Sequence, residues 1–230
     1  MLKKNHRRHY LLDLFIISFI TLCTYGFLAH AEEKSSKDLI IEELKLHLEQ
    51  MNDFTATFVQ EKHISLFNSA IVSSGLIKWK KPNLLFISLD APDTSKLIFD
   101  GTTFWMYYPD ERIVEKYSMR ENKNLPHSFF MLPMINNLFE RNHIQNITLQ
   151  ADKITLDVTP SGSVFKTIKL LFSKKNWLIR RIEMVEKDGD STVITFSNII
   201  INSHIPDETF TFTPPQGVII SLINESLPSW

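Results

Sequence analysis

Cysteine is nearly absent: Cys23 stands alone among 230 residues, so no internal disulfide is available and stability must rest on packing. Glycine is also scarce, at six residues. No Gly-rich phosphate-cradling loop, Gly-x-Ser-x-Gly elbow or paired-Cys motif occurs, which removes the commonest local signatures of nucleotide, hydrolase and metal or redox chemistry. Neither sign of charge dominates, with 25 Lys and Arg against 26 Asp and Glu. That balance argues against a nucleic-acid binder, which concentrates basic residues. At 43% hydrophobic and 22% charged, the composition fits neither wholesale disorder nor a multi-span membrane protein. What remains is a folded body large enough for a full hydrophobic core.

The first 31 residues read as a targeting segment. Lys3, Lys4, Arg7 and Arg8 make a positive start, an apolar run from Leu14 to Leu22 follows, and Ala29-His30-Ala31 supplies a small-x-small cleavage pattern. The expectation is a secretory signal peptide cut after Ala31, giving a periplasmic product that begins at Glu32. An uncleaved anchor over Leu14 to Leu28 is the alternative. Cys23 lies within this segment behind Leu22, where a lipid-attachment site would have a small residue. Residues 1–31 carry four Lys and Arg and one Asp, so the remainder has a net charge of −4.

From residue 32 a single domain is expected. Ile40, Leu44, Leu48 and Met51 recur at helical spacing, with Asp38 three residues after Ser35 as in a capping pair, predicting one amphipathic helix over Lys37 to Met51. The period then changes to two. Phe54, Ala56 and Phe58 alternate with threonines, Ile77 and Trp79 with lysines, and Leu85, Ile87 and Leu89 follow Pro82. Further runs over 96–99, 102–108, 113–117, 145–150, 153–159, 167–173, 178–186, 191–201 and 209–212 bring the total to about a dozen strands. Turns at Asp100-Gly101, Ser161-Gly162, Asp188-Gly189 and Gln216-Gly217 keep the links short, which implies an antiparallel meander. Leu125 to Asn142 breaks the pattern: Phe129, Phe130, Leu132, Met134, Ile135, Leu138 and Phe139 crowd at helical spacing around Pro133, predicting a short or kinked helical segment. Two helical pieces can cover one face of the sheet.

Catalytic and metal chemistry find little support. His47, His63, His127, His143 and His204 contain no local metal pair, and no cofactor is indicated. Ser128 beside His127 is the nearest approach to a nucleophile and base, and a hydrolase using a long-range Ser-His pair is the enzymatic alternative. The notable excess is apolar bulk: 17 Phe and 4 Trp, many on alternating strand positions. Core filling accounts for most of these. A sheet that curls without closing under helical covers can also line an apolar cavity for a lipid chain.

From Lys80-Lys81-Pro82-Asn83-Leu84 the sequence resembles the LolA family, periplasmic carriers that ferry lipoproteins between the membranes of Gram-negative bacteria. Phe54-x-Ala56-x-Phe58-x-Gln60 is similar to the family's first strand, and Gly75 precedes the basic-Pro element at the usual distance. Leu97-Ile98-Phe99-Asp100-Gly101 with Phe104-Trp105-Met106-Tyr107 and Pro109 resembles its central hairpin, and Phe210 to Val218 its closing strand. The resemblance implies a mostly β fold: a curved, unclosed antiparallel β-barrel covered by an N-terminal helix and a second short helical segment. It also implies a non-enzymatic, monomeric carrier that needs no cofactor. Its partners would be lipoprotein acyl chains, an inner-membrane lipoprotein-releasing ABC transporter and an outer-membrane acceptor, with no nucleic acid. The family's element has Arg before the proline, bonding lid carbonyls to hold the empty form closed; here Lys81 stands there, and Leu85 and Ile87 replace aromatic residues that often follow.

The expected lipid-binding residues are Phe58, Trp79, Leu85, Ile87, Leu89, Trp105 and Tyr107 on the sheet, with Phe129 and Leu132 on the covering segment. Lys81 is the expected lid latch. Alternation alone leaves open which strand face is the inner one. A paralogue serving another lipid, a LolB-like acceptor, or a lipid- or lipoprotein-sensing module would share this pattern.

Overall fold

The computed structural model describes residues 36–67, 69–118, 143–161 and 163–223. The chain divides into two compact units, Met1–Ile40 and Ile41–Trp230. Of the first, only the opening turn of one helix is described; everything from Ile41 onward belongs to the second. The expected signal segment, and the helical segment with Phe129, Leu132, His127 and Ser128, lie outside the described residues.

Helix α1 spans Ser36–Gln50. Leu44 is fully buried while Leu46 is 46% exposed, so the helix inserts one face. His47 stacks on Trp177 at 5.2 Å. Its last turn is tied down by side chains from elsewhere. The Asn202 carboxamide donates to Gln50 O at 3.1 Å and accepts from Asn52 N–H at 2.7 Å, and the Lys81 ammonium donates to Glu49 O. These bonds satisfy carbonyls that a helix end leaves without intrahelical partners.

Twelve strands follow: β1 Asp53–His63, β2 Ile71–Lys80, β3 Leu84–Leu89, β4 Ser95–Phe99, β5 Thr103–Tyr108, β6 Ile113–Ser118, β7 Ile144–Gln150, β8 Lys153–Val158, β9 Phe165–Ser173, β10 Ile179–Glu186, β11 Ser191–Ile201 and β12 Ile219–Ile223. They form one sheet ordered β12-β6-β5-β4-β3-β2-β1-β11-β10-β9-β8-β7. Two meanders, β2–β6 and β7–β11, are joined through β1, and the order ends in two edges rather than closing. The expected unclosed antiparallel sheet is therefore present, with one departure: β12 returns to pair parallel with β6.

The closing segment differs from its sequence reading. Alternation predicts strand over 209–212, and the resemblance a closing strand over Phe210 to Val218, but Asp207–Phe210 forms a 3₁₀ turn and β12 begins only at Ile219. Pro206, Pro214 and Pro215 remove the amide donors that a ladder through this stretch would need. The segment instead lies along the outside of the sheet, with Phe210 1% exposed and Phe212 facing Trp105 and Tyr107 at 5.6 and 5.7 Å. Lys80 fixes its start by donating to Ile205 O at 2.7 Å and pairing with Asp207.

Asp53, at the start of β1, is the buried charged residue of this region, 2% exposed. Its carboxylate accepts from Ser203 N–H at 2.7 Å, Ser203 Oγ at 3.0 Å and His204 N–H at 2.8 Å. Burial pushes its pKa up, but these bonds, with a further backbone contribution from Ile205, outweigh that and leave it below the ordinary value. Asn202 and His204 hold positive φ of 55° and 59°, and the Asp53 and Asn202 bonds keep this strained corner in place.

Candidate functional site

The inner face is built in rows by strand register. Phe54, Trp79, Leu85, Phe99, Phe104 and Tyr117 lie opposite one another across β1 to β6, and Ala56, Ile77, Ile87, Leu97, Met106 and Glu115 form the next row. A third row carries Phe58, Gly75 and Leu89. Gly75 has no alternative here, because a Cβ would overlap the Ser88 carbonyl oxygen of β3. On the other side of β1, Gln60 faces Ile194, which faces Ile182.

The second and third rows, with Leu85 and Tyr117 of the first, supply much of the wall of a cavity of about 1100 Å³. Phe165, Ile182 and Met184 share it with Met106 and Tyr117, although their strands lie far apart in the sheet order. The sheet must curl for them to meet. Much of the wall is apolar, and the rim carries Pro92, Asp93, Asp110 and Glu111, all exposed, with Lys62 and Glu186. Such a space is large for a small-molecule pocket and suited to flexible hydrocarbon.

Of the residues expected at the site, Phe58, Leu85, Ile87 and Leu89 line this cavity. Trp79 shares the inner row but lies outside the cavity lining; it is 6% exposed, and its Nε1 is buried without a hydrogen-bond partner among the described residues. Trp105 and Tyr107 point the other way. They alternate with the cavity residues Met106 and Tyr108 and pack on Phe212 at the outer surface, where the Lys116 ammonium also sits 4.9 Å from the Trp105 ring centre. The register that decides this is held by the β4–β5 turn, in which the Asp100 carboxylate accepts from Thr102 N–H, Thr102 Oγ1 and Thr103 N–H at 2.8–2.9 Å. Phe129 and Leu132 fall outside the described residues.

Lys81 follows β2 in the three-residue turn before β3, and its ammonium reaches the Glu49 carbonyl in the last turn of α1. Its backbone N–H donates to Asn52 O at 2.9 Å. The lysine thus contacts the negative end of the helix dipole.

The sequence reading missed a polar group within the wall. Glu115 Oε2 accepts from Tyr117 Oη at 2.7 Å and lies 3.5 Å from Tyr108 Oη, which is 2.6 Å from Met106 Sδ. Burial, followed by the charge of Glu115, pushes the Tyr108 phenol up to about 12. Burial and the Glu115 hydrogen bond push Tyr117 further above the phenol range. Both phenols, protonated at neutral pH as any phenol is, act as donors in this group. Alternation in β6 places Glu115 and Tyr117 on one face, but only pairing with β5 shows that this face is the inner one. Among the described residues, no three His, Cys, Asp or Glu side chains gather to hold a metal.

The model of the outer membrane lipoprotein carrier protein LolA matches residues 49–213. The outer-membrane lipoprotein carrier protein of Haemophilus influenzae (strain PittEE) is 28% identical over 176 residues, covering 76% of this chain and 83% of that protein. The corresponding protein of Vibrio campbellii is 27% identical over 196 residues, covering 85% and 89%. An uncharacterized conserved protein from Thermus thermophilus has a similar fold, with a TM-score of 0.52 at 8% identity over 79% of this chain and 98% of that one. The matched span contains every described strand except β12, together with the cavity residues they carry, and the chain belongs to the LolA family of outer membrane lipoprotein carrier proteins.

Proposed function

We propose that the protein shelters the acyl chains of lipoproteins in the cavity and carries them across the periplasm, from an inner-membrane lipoprotein-releasing transporter to an outer-membrane acceptor. The observation that carries this reading is the cavity of about 1100 Å³ with its largely apolar wall. Carriers of this family are not enzymes; the work they do is burial. Each methylene removed from water contributes about 0.8 kcal/mol, so a few acyl chains would bind with more energy than a carrier can release. Something must weaken the net affinity. A closed empty state that competes with cargo does so by lowering the fraction of competent protein. The bond from Lys81 to the Glu49 carbonyl is suited to hold that state.

Export by a cleaved signal peptide fits this role and predicts a mature N-terminus at Glu32, which N-terminal sequencing of the periplasmic fraction checks. The cavity is tested by Ile87→Glu and Ser88→Glu. Ile87 lines it, whereas Ser88 is on the opposite face across from Lys96. A carboxylate at 87 must be desolvated to admit an acyl chain, so Ile87→Glu should recover no lipoprotein in a periplasmic pull-down analysed by mass spectrometry, while Ser88→Glu recovers it as the parent does. The reverse pattern, in folded proteins, would refute the cavity as the binding site.

A further inference from the structure

The turn joining β1 to β2 leaves two large apolar side chains in water at its apex. Leu66 is 88% exposed and Phe67 62% exposed, and at the base of β2 Val72 is 59% exposed. Scattered apolar residues on a surface need no explanation. Adjacent Leu and Phe at the end of a hairpin form a prominence that remains exposed among the described residues. It is braced: Phe67 N–H donates to Ile64 O at 2.9 Å, and Ser65 N–H donates to the Asp190 carboxylate at 2.8 Å.

Its position is informative. Phe58, Gln60 and Lys62 of β1 line the cavity, and the apex begins four residues beyond Lys62. The β3–β4 turn, with the rim residue Asp93, is at the same end of the sheet, because β3 runs antiparallel to β2 and Asp90 N–H donates to Ser74 O. The apolar tip therefore stands beside the cavity mouth. A convex tip suits a fluid apolar phase, which closes around it, whereas a protein partner would need a matching pocket. Charge narrows the surface further. Asp93, Asp110, Glu111, Glu186, Asp188 and Asp190 outnumber Lys62, Arg112, Lys166 and Lys187 around the mouth and the bracing turn, so a strongly anionic surface is repelled.

We propose that Leu66 and Phe67 insert into a zwitterionic lipid surface and bring the cavity mouth against it. The purpose of that contact rests on the carrier reading, but the insertion itself does not require cargo. In the full chain, a photo-cross-linking amino acid at position 66 should capture phosphatidylcholine from vesicles, and one at position 222 should not, although Leu222 is 68% exposed on the edge strand β12. Leu66→Ser/Phe67→Ser should reduce partition onto these vesicles at least tenfold, with Leu222→Ser close to parent. Replacing half of the lipid by phosphatidylglycerol should weaken parent binding at low salt, and added salt should restore it.

Equal capture at 66 and 222, no capture at 66, unchanged partition of the double variant, or stronger binding to phosphatidylglycerol would each overturn the proposal. Acyl-probe binding is measured on the same proteins. Variants that hold the probe but lose the vesicle bear out the tip, and a parent that captures vesicle lipid but holds no probe refutes the cavity reading alone.

Discussion

Replacing Lys81 by leucine removes one bond and leaves the elements around it in place. The ammonium meets Glu49 O at the last turn of α1, where the helix dipole is negative. A cation at an exposed helix end contributes about 0.3–1 kcal/mol, and a hydrogen bond to a charged group about 1.5–3 kcal/mol. Since the contact is open to solvent, the lower range governs, and about 1 kcal/mol corresponds to roughly a fivefold change in an equilibrium. The helix is not released by the change. Asn202 still holds Gln50 O and Asn52 N–H, and Leu44 remains buried, so the melting temperature should move by only a few degrees. If cargo entry requires the last turn of α1 to part from the β2–β3 turn, the competent fraction rises, and apparent acyl-probe affinity should tighten by roughly two- to fivefold. Transfer to acceptor membranes should slow correspondingly. Titration of a fluorescent fatty acid and a transfer assay compare Lys81→Leu, Lys81→Arg and Lys78→Leu with the parent. Lys81→Arg should bind no more tightly than the parent, since guanidinium can donate to more than one carbonyl. Equal affinity and transfer in Lys81→Leu, Lys78→Leu and parent would refute the latch and leave Lys81 an ordinary surface cation.

Asp53→Asn should destabilise the fold by about 2 kcal/mol, because an amide cannot accept from all the donors now gathered on the carboxylate. The Asp53 pKa lies below its ordinary value of 3.8; its contribution is therefore full above that value and lost as pH falls through the folded-state pKa. Chemical denaturation of the parent at descending pH should show this loss, and the Asn variant should lack it. Gly75→Ala should cost several kcal/mol or prevent folding, since the new Cβ meets backbone of β3 rather than a movable side chain; urea midpoints check it. Trp79→Phe should stay within about 1 kcal/mol of the parent, lost packing being offset by removal of an unpartnered buried donor; thermal unfolding measures it. Phe212→Ala should uncover Trp105 and Tyr107 and quench or red-shift tryptophan emission without changing acyl-probe binding, because these rings are on the outer face.

Local pattern alone determined much of this protein. Period-two alternation in β1, β2 and β3 and the turn at Asp100-Gly101 mark strands that the structure contains, because strand side chains alternate regardless of what they face. Helical spacing marks α1 for the same reason, with Leu44 as its buried position. Ile87 and Leu89 share a face with Leu85 by spacing, and all three reach the cavity. What alternation cannot state is which face is inner. Tertiary structure decided that Trp105 and Tyr107 lie outside, through a β4–β5 register held by Asp100 and through Phe212, a residue more than 100 positions later that covers them. It also decided the parallel pairing of β12 with β6, where Arg112 donates to Gln216 O and accepts from Ile219 N–H, a long-range meeting that no local propensity records. The Tyr108–Glu115–Tyr117 group and the bond from Lys81 to α1 are of the same kind. Each joins residues whose meeting depends on register or long-range packing, and a one-dimensional pattern records only which side chains exist and how they alternate.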